Sequence, residues 1–440
     1  MNTIAPGCQT LEVKTFHRLV TGALKPENVI TLLNADVVID AGSYQKVKNG
    51  KTVSFPIVRS NTSEKDTKRI TNIALAYGVI MFNGLPADIN AYDTLMAEEA
   101  ELLHIYETTC RKFNKKLLSI RKGKRKFNFA CLEDKYIDIK NSIPQINELF
   151  KEEHPEVAEA IKFIQTHFLF KKHIPRKERL HTPAQPLYTS TGRCQYSYSH
   201  LYDGPLLCFA KRYRSIIYNP NTVYEVDLKA ADMGFAAALS KDEAMAEDYL
   251  REDIYNHFIA DAGLSITREQ AKIILLGITK GLTPYGIAKC AGIGLAEAEE
   301  IYNILLKRYH TYQRWAMEQA GVLYDTNTGR IRGVNTKKII TAPLNLNNKE
   351  SIALCDYNER INSAKSFLVQ AYGSVLLHGG VVDAIKAGVK VIATLHDSVY
   401  VESREDAIKV RDIIEKNSQY LLNGFRLETT MEPVNQRGEP

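Results

Sequence analysis

Two aspartates far apart in the chain, Asp227 and Asp397, each stand at the end of a β-prone run. Val223 and Val226 lead into the first, while the arms VIATL and VYVES flank His396, Asp397 and Ser398 in VKVIATLHDSVYVES. Either aspartate alone is ordinarily a turn residue, because its short side chain bonds to nearby backbone. As a pair they point to different chemistry. Two carboxylates held side by side repel unless a hard cation neutralises them, and Mg²⁺ takes one or two carboxylates together with phosphate oxygens. Two such ions about 3.5 to 4 Å apart activate a hydroxyl and stabilise the leaving oxygen of a phosphoryl transfer. A phosphate substrate needs cations, and REQAKIILLGITKG carries them. Arg268, Lys272, Leu276 and Lys280 recur every four residues, so a helix from Arg268 to Gly281 places them on adjoining parts of one face. Gly277 and Gly281 would let a triphosphate and a base pair lie close against it. By spacing alone an ordinary exposed amphipathic helix is the simpler account, and only the order of the whole set overturns it.

The elements that must position these residues can be read more coarsely. The β-rich arms on both sides of His396, Asp397 and Ser398 predict a hairpin with the acid at its turn. A strand runs into Asp227, and a helical apolar pattern begins at about Ala231. From Asp253 to Ala320 the pattern is mainly helical, broken at LTPYG. Between about 90 and 180 long helical patterns dominate, ending one stretch in RKGKRK. The run from Arg111 to Lys126 holds nine basic residues and no acidic one. With KKHIPRKER at 171 to 179 it makes two cationic stretches on either side of a helical region, suited to gripping phosphates without sequence preference and equally compatible with a solvated helix face. The first 85 residues are the least readable. VITLLNADVVIDA reads as a strand or a buried helix end, and KVKNGKTVSFPIV as a hairpin turning at Asn49 and Gly50.

Taken together, the segments resemble family A, the polymerase I-type DNA polymerases. TSTGR at 189 to 193, VDLKAAD at 226 to 232, REQAK followed by LGITKGLTPYGIA at 268 to 288, and LHDS at 395 to 398 occur in the family's order. DIYNHF, RYHTYQRW and TNTGRIRG support the match, which spans about residues 90 to 435. The resemblance implies an α+β right hand: a thumb over 86–185, an antiparallel-sheet palm from 186–245 and 386–440, helical fingers over 246–385, and an N-terminal region, 1–85, of unassigned role. It implies that Asp227 and Asp397, with the carbonyl of Leu228, hold two Mg²⁺ ions, for which Mn²⁺ can substitute. Arg268 and Lys272 would bind the triphosphate, Arg193 the primer-terminal base pair from the minor groove, and His396 the primer end. Gln370 is either a minor-groove contact or a core helix polar residue. Lys122, Lys124, Arg125 and Lys126 would grip the duplex. The implied partners are primer-template DNA and dNTPs, with room for a processivity or replisome partner.

The departures from the family carry their own expectations. Leu276 stands for the family's aromatic and Lys280 for its tyrosine, so a cation is expected near the template base and base selection should relax. Asp232 is one methylene shorter than the family's sugar-gate glutamate, Ser398 replaces the glutamate after the hairpin aspartate, and Tyr255 replaces a phosphate-touching histidine. RNA-synthesising or primer-making activity on the same fold therefore stays open, as does a non-catalytic nucleic-acid-binding relative. No 3′–5′ exonuclease is expected, since residues 1 to 85 offer only Asp36 and Asp40 in a strand context. Such a short enzyme would suit a phage or mobile element, in replication or repair.

Composition narrows the class without choosing the activity. At 440 residues, 45% apolar and 25% charged, the chain is long enough for about three structural units and lacks the bias of disordered or fibrous chains. Its net charge of +6 is a weak pointer to a polyanion. Seven scattered cysteines, none in a C-x-x-C pair, predict reduced, mostly buried thiols rather than disulfides or zinc. The sequence predicts no apolar run of the 18 or so residues of a membrane span, and no charged-then-apolar leader opens it, so a cytoplasmic location without membrane contact is expected.

Overall fold

The computed structural model describes residues 64–94, 176–182, 191–194, 223–325 and 357–434. It also describes the short strands at 10–11, 38–39, 45–48, 51–54, 118–121, 124–127 and 330–331, and positions 33, 97, 184, 186 and 196. The chain divides into two compact units, one of residues 1–84, 184–197 and 221–440, the other of 85–183 and 198–220.

The first unit is built on a four-stranded antiparallel sheet. Its strands are β1 (Tyr224–Leu228), β2 (Val391–Leu395), β3 (Ser398–Val401) and β4 (Thr429–Pro433), in the order β2-β3-β1-β4. β2 and β3 form the expected hairpin, with Leu395 opposite Ser398 and a two-residue turn at His396 and Asp397. β3 pairs with β1 so that Ser398 lies opposite Asp227, which joins the two distant aspartate segments in one ladder. Every residue of β2 and β3 is buried, as a strand covered on both faces requires.

The helices are α1 (Glu64–Asn83), α2 (Ala231–Ser240), α3 (Glu243–Tyr249), α4 (Ile254–Ala262) and α5 (Arg268–Thr279). They continue as α6 (Pro284–Ala291), α7 (Leu295–Arg308), α8 (His310–Leu323), α9 (Tyr357–Lys386) and α10 (Arg404–Leu421). α10 packs on β1, β3 and β4, α1 packs on β2, and α9 touches α1, α2, α8 and α10. Several start on a residue whose side chain takes up free backbone N–H groups: Asp242 for α3, Asp253 for α4, Thr283 for α6 and Ser403 for α10. The stretch Ser366–Lys386 of α9 is, contrary to expectation, long and apolar enough to cross a membrane, with 21 residues of mean hydropathy 1.3. Here it is the core helix, with Val375, Leu377, Val381 and Ala384 buried.

The N-terminal region is more than an appendage. In α1, Ile73, Leu75, Tyr77 and Ile80 are almost wholly buried, and Asn83 Nδ2 donates to the Val391 carbonyl of β2 at 2.8 Å. Strands Gln45–Lys48 and Lys51–Ser54 form the hairpin expected around Asn49 and Gly50, and Val38–Ile39, within VITLLNADVVIDA, is a strand paired in parallel with Thr10–Leu11.

In the second unit, Leu85–Pro86 pairs with Arg179–Leu180, which ties the two ends of the 85–183 segment together. The basic run proves to contain an antiparallel hairpin, Leu118–Arg121 with Lys124–Phe127, where helical structure was expected. Lys124, Arg125 and Lys126 lie on its second strand, and Lys122 lies outside the described residues. A Lys-rich four-residue arm after Gly123 suits a short ladder as well as a helix end.

Candidate active site

Asp227 is the fourth residue of β1 and Leu228 its last. Ser398 Oγ donates to Asp227 Oδ1 at 2.7 Å, so the serine that replaced the family's glutamate orients the first aspartate. The chain turns from β1 into α2 through Ala230, left-handed at φ 42°, and the hairpin turn places His396 left-handed at φ 53°. A two-residue hairpin turn demands that sign of φ at His396, and as neither residue is glycine, strained backbone lies near both acids. His396 is exposed and Asp397 half-buried.

Three carboxylates act on one another here. Burial chiefly, then the charges of Asp227 and Asp232, push Asp397 up to about 6, while Arg193 pulls it back down. Asp232, on the first turn of α2, meets Arg193 Nη2 at 3.7 Å and Lys280 Nζ at 3.2 Å. This brings together Asp227, Asp232, Asp397, Arg193 and Lys280 from four separate segments.

α5 opens with a reciprocal cap: Thr267 accepts from the Gln270 backbone and the Gln270 side chain accepts from the Thr267 backbone. Arg268 Nε donates to Asp253 Oδ2 at 2.8 Å, and its guanidinium lies 5.1 Å from the Tyr255 ring centroid. Tyr255, in the histidine's place, thus braces this arginine, and its phenol is raised to about 12 by burial. Lys272 and Lys280 are exposed, and Lys272 has no ion pair among the described residues.

The far end of α5 departs from expectation. The helix stops at Thr279, and the N–H groups of Gly281 and Leu282 return to the carbonyls of Ile278 and Gly277. That is a Schellman turn, with Gly281 at φ 76° as its left-handed residue. A Cβ on Gly277 would stand 2.6 Å from Leu282, so both glycines serve this turn. Lys280 consequently caps the helix, and its Nζ reaches Asp232 Oδ2 at 3.2 Å. Leu276 is half-buried, and Gln370, in α9, makes among the described residues a single long 3.5 Å contact, with Ser366.

Of the supporting motifs, RYHTYQRW proves to be scaffold, while TNTGRIRG lies mostly outside the described residues. Arg308 grips Asp248 through two bonds of 2.7 and 2.6 Å, and Tyr309 donates to the same carboxylate at 2.7 Å. Tyr312 donates to the Thr279 carbonyl at 2.9 Å, fixing the end of α5. In the second basic stretch, Arg176 is committed to Asp93 through bonds of 2.8 and 2.7 Å. Cys194 and Cys290 are free thiols, and Cys290 is exposed rather than buried.

The sequence profile of DNA polymerase family A matches residues 144–423. The chain belongs to DNA polymerase family A. Among solved structures it is similar to the polymerase domain of Pol1 from M. smegmatis in complex with DNA primer-template and dNTP, with a TM-score of 0.60 at 16% identity. That likeness covers 83% of this chain and 70% of the other. A search of curated proteins gives no match. The fold is therefore the α+β right hand of these polymerases, and the chain is a DNA-directed DNA polymerase, a DNA-binding nucleotidyltransferase.

The donor set fits the divalent cations that family A polymerases generally use. Two neighbouring carboxylates, one of them raised chiefly by burial and then by the other's charge, are what a hard cation relieves. Among the described residues no group of three or more His, Cys, Asp or Glu side chains is arranged to hold a metal ion.

Proposed function

We propose that this polymerase transfers a nucleotidyl group from a dNTP to a primer 3′-hydroxyl on a DNA template, releasing pyrophosphate. The observation that carries this reading is the acidic cluster itself, with Asp397 raised to about 6 among Asp227 and Asp232 and flanked by Arg193 and Lys280. Asp227, Asp397 and the Leu228 carbonyl would hold two Mg²⁺ ions, which when bound lower the pKa of the attacking hydroxyl and stabilise the leaving oxygen. Ser398 keeps one Asp227 oxygen oriented. Arg268, braced by Asp253 and Tyr255, and Lys272 one turn later offset triphosphate charge that grows in the transition state. Arg193 would reach the terminal pair from the minor groove, whose acceptors are alike in every pair, and His396 would seat the primer end.

A second reading concerns the sugar. Asp232 is both shorter than glutamate and engaged by two cations, which favours weaker exclusion of a 2′-hydroxyl and hence some RNA synthesis. The reading also has no proofreading step and a cytoplasmic site of action. Primer extension with Mg²⁺, comparing dNTPs with NTPs in the wild type and Asp397→Ala, tests it. Templated dNTP extension abolished by the substitution is expected. Equal or better use of NTPs transfers the assignment to RNA synthesis, and binding without extension by the wild type overturns catalysis.

A further inference from the structure

Arg193 stands on a loop, yet a minor-groove contact needs its guanidinium placed closely. The loop is fastened by side chains that no motif contains. His378, buried in α9, places Nε2 2.8 Å from the Gly192 carbonyl and Nδ1 2.9 Å from the Tyr77 hydroxyl of α1. Thr394 Oγ1 of β2 lies 3.4 Å from that hydroxyl and 3.0 Å from the hydroxyl of Tyr196.

The direction of every bond follows from one end. A carbonyl only accepts, so Nε2 carries the imidazole proton. Burial holds His378 far below its ordinary value, at about 4, so the ring is neutral and Nδ1 must accept from Tyr77. Tyr77 then has only a lone pair for Thr394, and Thr394 only a lone pair for Tyr196. Proton donation runs from Tyr196 to Thr394 to Tyr77 to His378 to Gly192, leaving no member of the chain idle. Tyr77, His378 and Thr394 are at most 1% exposed, and the Tyr77 and His378 rings meet edge to face at 5.2 Å. The Cys194 thiol lies among the three hydroxyls, and burial pushes it up to about 12, so it adds no charge.

The two ends of this chain, Tyr196 and Gly192, bracket Arg193. Gly192, left-handed at φ 81°, is the residue next to it. Thr394 precedes Asp397 of the hairpin turn by three residues, so loop and turn share one strut.

We propose that Tyr196, Thr394, Tyr77 and His378 are positioning residues that set the loop so that Arg193 stands against Asp232 and reads the primer end. The inference rests on the reading of Arg193 given above, and it makes a helix outside the family-matched residues part of the site.

The test is single-turnover incorporation at matched and mismatched primer ends by the full chain. Tyr77→Phe and Tyr196→Phe are each made alone and together with Arg193→Ala. Tyr77→Phe should slow matched ends roughly tenfold while sparing mismatched ends, as a small misplacement of a contacting group does. In the Arg193→Ala background it should cost nothing further. The same fold-loss in both backgrounds would show a merely structural role and overturn the proposal. Tyr196→Phe, at the less buried end, serves if Tyr77→Phe does not fold.

Nitrogen-15 spectra of the histidines separate the proposal from the reading beneath it. His378 should be a neutral Nε2–H tautomer at neutral pH, and Tyr196→Phe should shift its Nδ1 through the intervening hydroxyls. If Arg193→Ala alone leaves extension unchanged, the role given to Arg193 has failed. The chain is then judged by the spectra, where a His378 signal indifferent to Tyr196→Phe sinks it.

Discussion

Asp397 takes on its charge unwillingly, and that sets how the protein responds to pH. Its pKa is raised from an ordinary 3.8 to about 6 in the folded state, so between those values the native protein binds a proton that the unfolded chain has lost. Its stabilising contribution is therefore full below about 3.8 and disappears as pH rises through about 6, a change of up to about 3 kcal/mol. Chemical denaturation of the metal-free protein should show the wild type losing stability relative to Asp397→Asn across that window. A divalent cation reverses the preference by favouring the carboxylate. Apparent Mg²⁺ affinity should then weaken about tenfold per pH unit below about pH 6, a slope that Asp397→Asn abolishes. Both aspartates were legible in the sequence because each closes a β-prone run. Their restraints were not: Ser398 was visible only as a departure, and its bond to Asp227 depends on the register of two strands 171 residues apart. Lys280 shows the same limit, since only the folded chain reveals Asp232 as its partner. Lys280→Tyr removes that ion pair and restores an aromatic, so misinsertion measured by single-nucleotide kinetics should fall by roughly tenfold. Unchanged ratios would mean that the cation has no part in base selection.

At the scale of elements, α5 depends on contacts at both ends. Its start is the Thr267 and Gln270 cap, and its finish is set by the turn at Gly281 and by Tyr312 on the Thr279 carbonyl. The body of this helix was readable from its four-residue spacing, but its end was overrun by two residues. Gly281 followed closely by Pro284 is a stop signal in its own right, and the continuing charge pattern at Lys280 outweighed it. The bundle behind α5 is pinned by Asp248, which accepts from Arg308 twice and from Tyr309. Asp248 is 7% exposed and Tyr309 is fully buried, so removing the carboxylate strands a buried hydroxyl and a partly buried guanidinium. Asp248→Ala should lower stability by about 3 kcal/mol, read as a fall in the denaturant midpoint at unchanged slope. A loss under about 1 kcal/mol would mean that solvent satisfies Arg308 as well as the aspartate does. The motif RYHTYQRW drew notice for its resemblance, while its physical work is this scaffold.

For the whole molecule, the family-matched residues 144–423 contain both catalytic aspartates and every helix from α2 to α10, yet they do not enclose a complete core. α1 lies before them and β4 after them. Without β4, the outer edge of β1 opposite Asp227 loses its partner Thr430. Without α1, the face of β2 that leads to Asp397 is stripped, and His378 and Thr394 lose Tyr77. α1 buries Ile73, Leu75, Tyr77, Val79, Ile80 and Met81. At about 1.5 to 3 kcal/mol for each side chain this is on the order of 10 kcal/mol, comparable to the entire net stability of a typical domain. The sequence hid this because α1 carries no catalytic residue and its inner face is nearly continuous in apolar residues, so it showed neither a motif nor a clear amphipathic period. A fragment restricted to 144–423 should lack a cooperative melting transition and any extension activity. Restoring the chain from residue 64 to residue 434 should return both, and a cooperatively melting 144–423 fragment would show that α1 only decorates a core that stands without it.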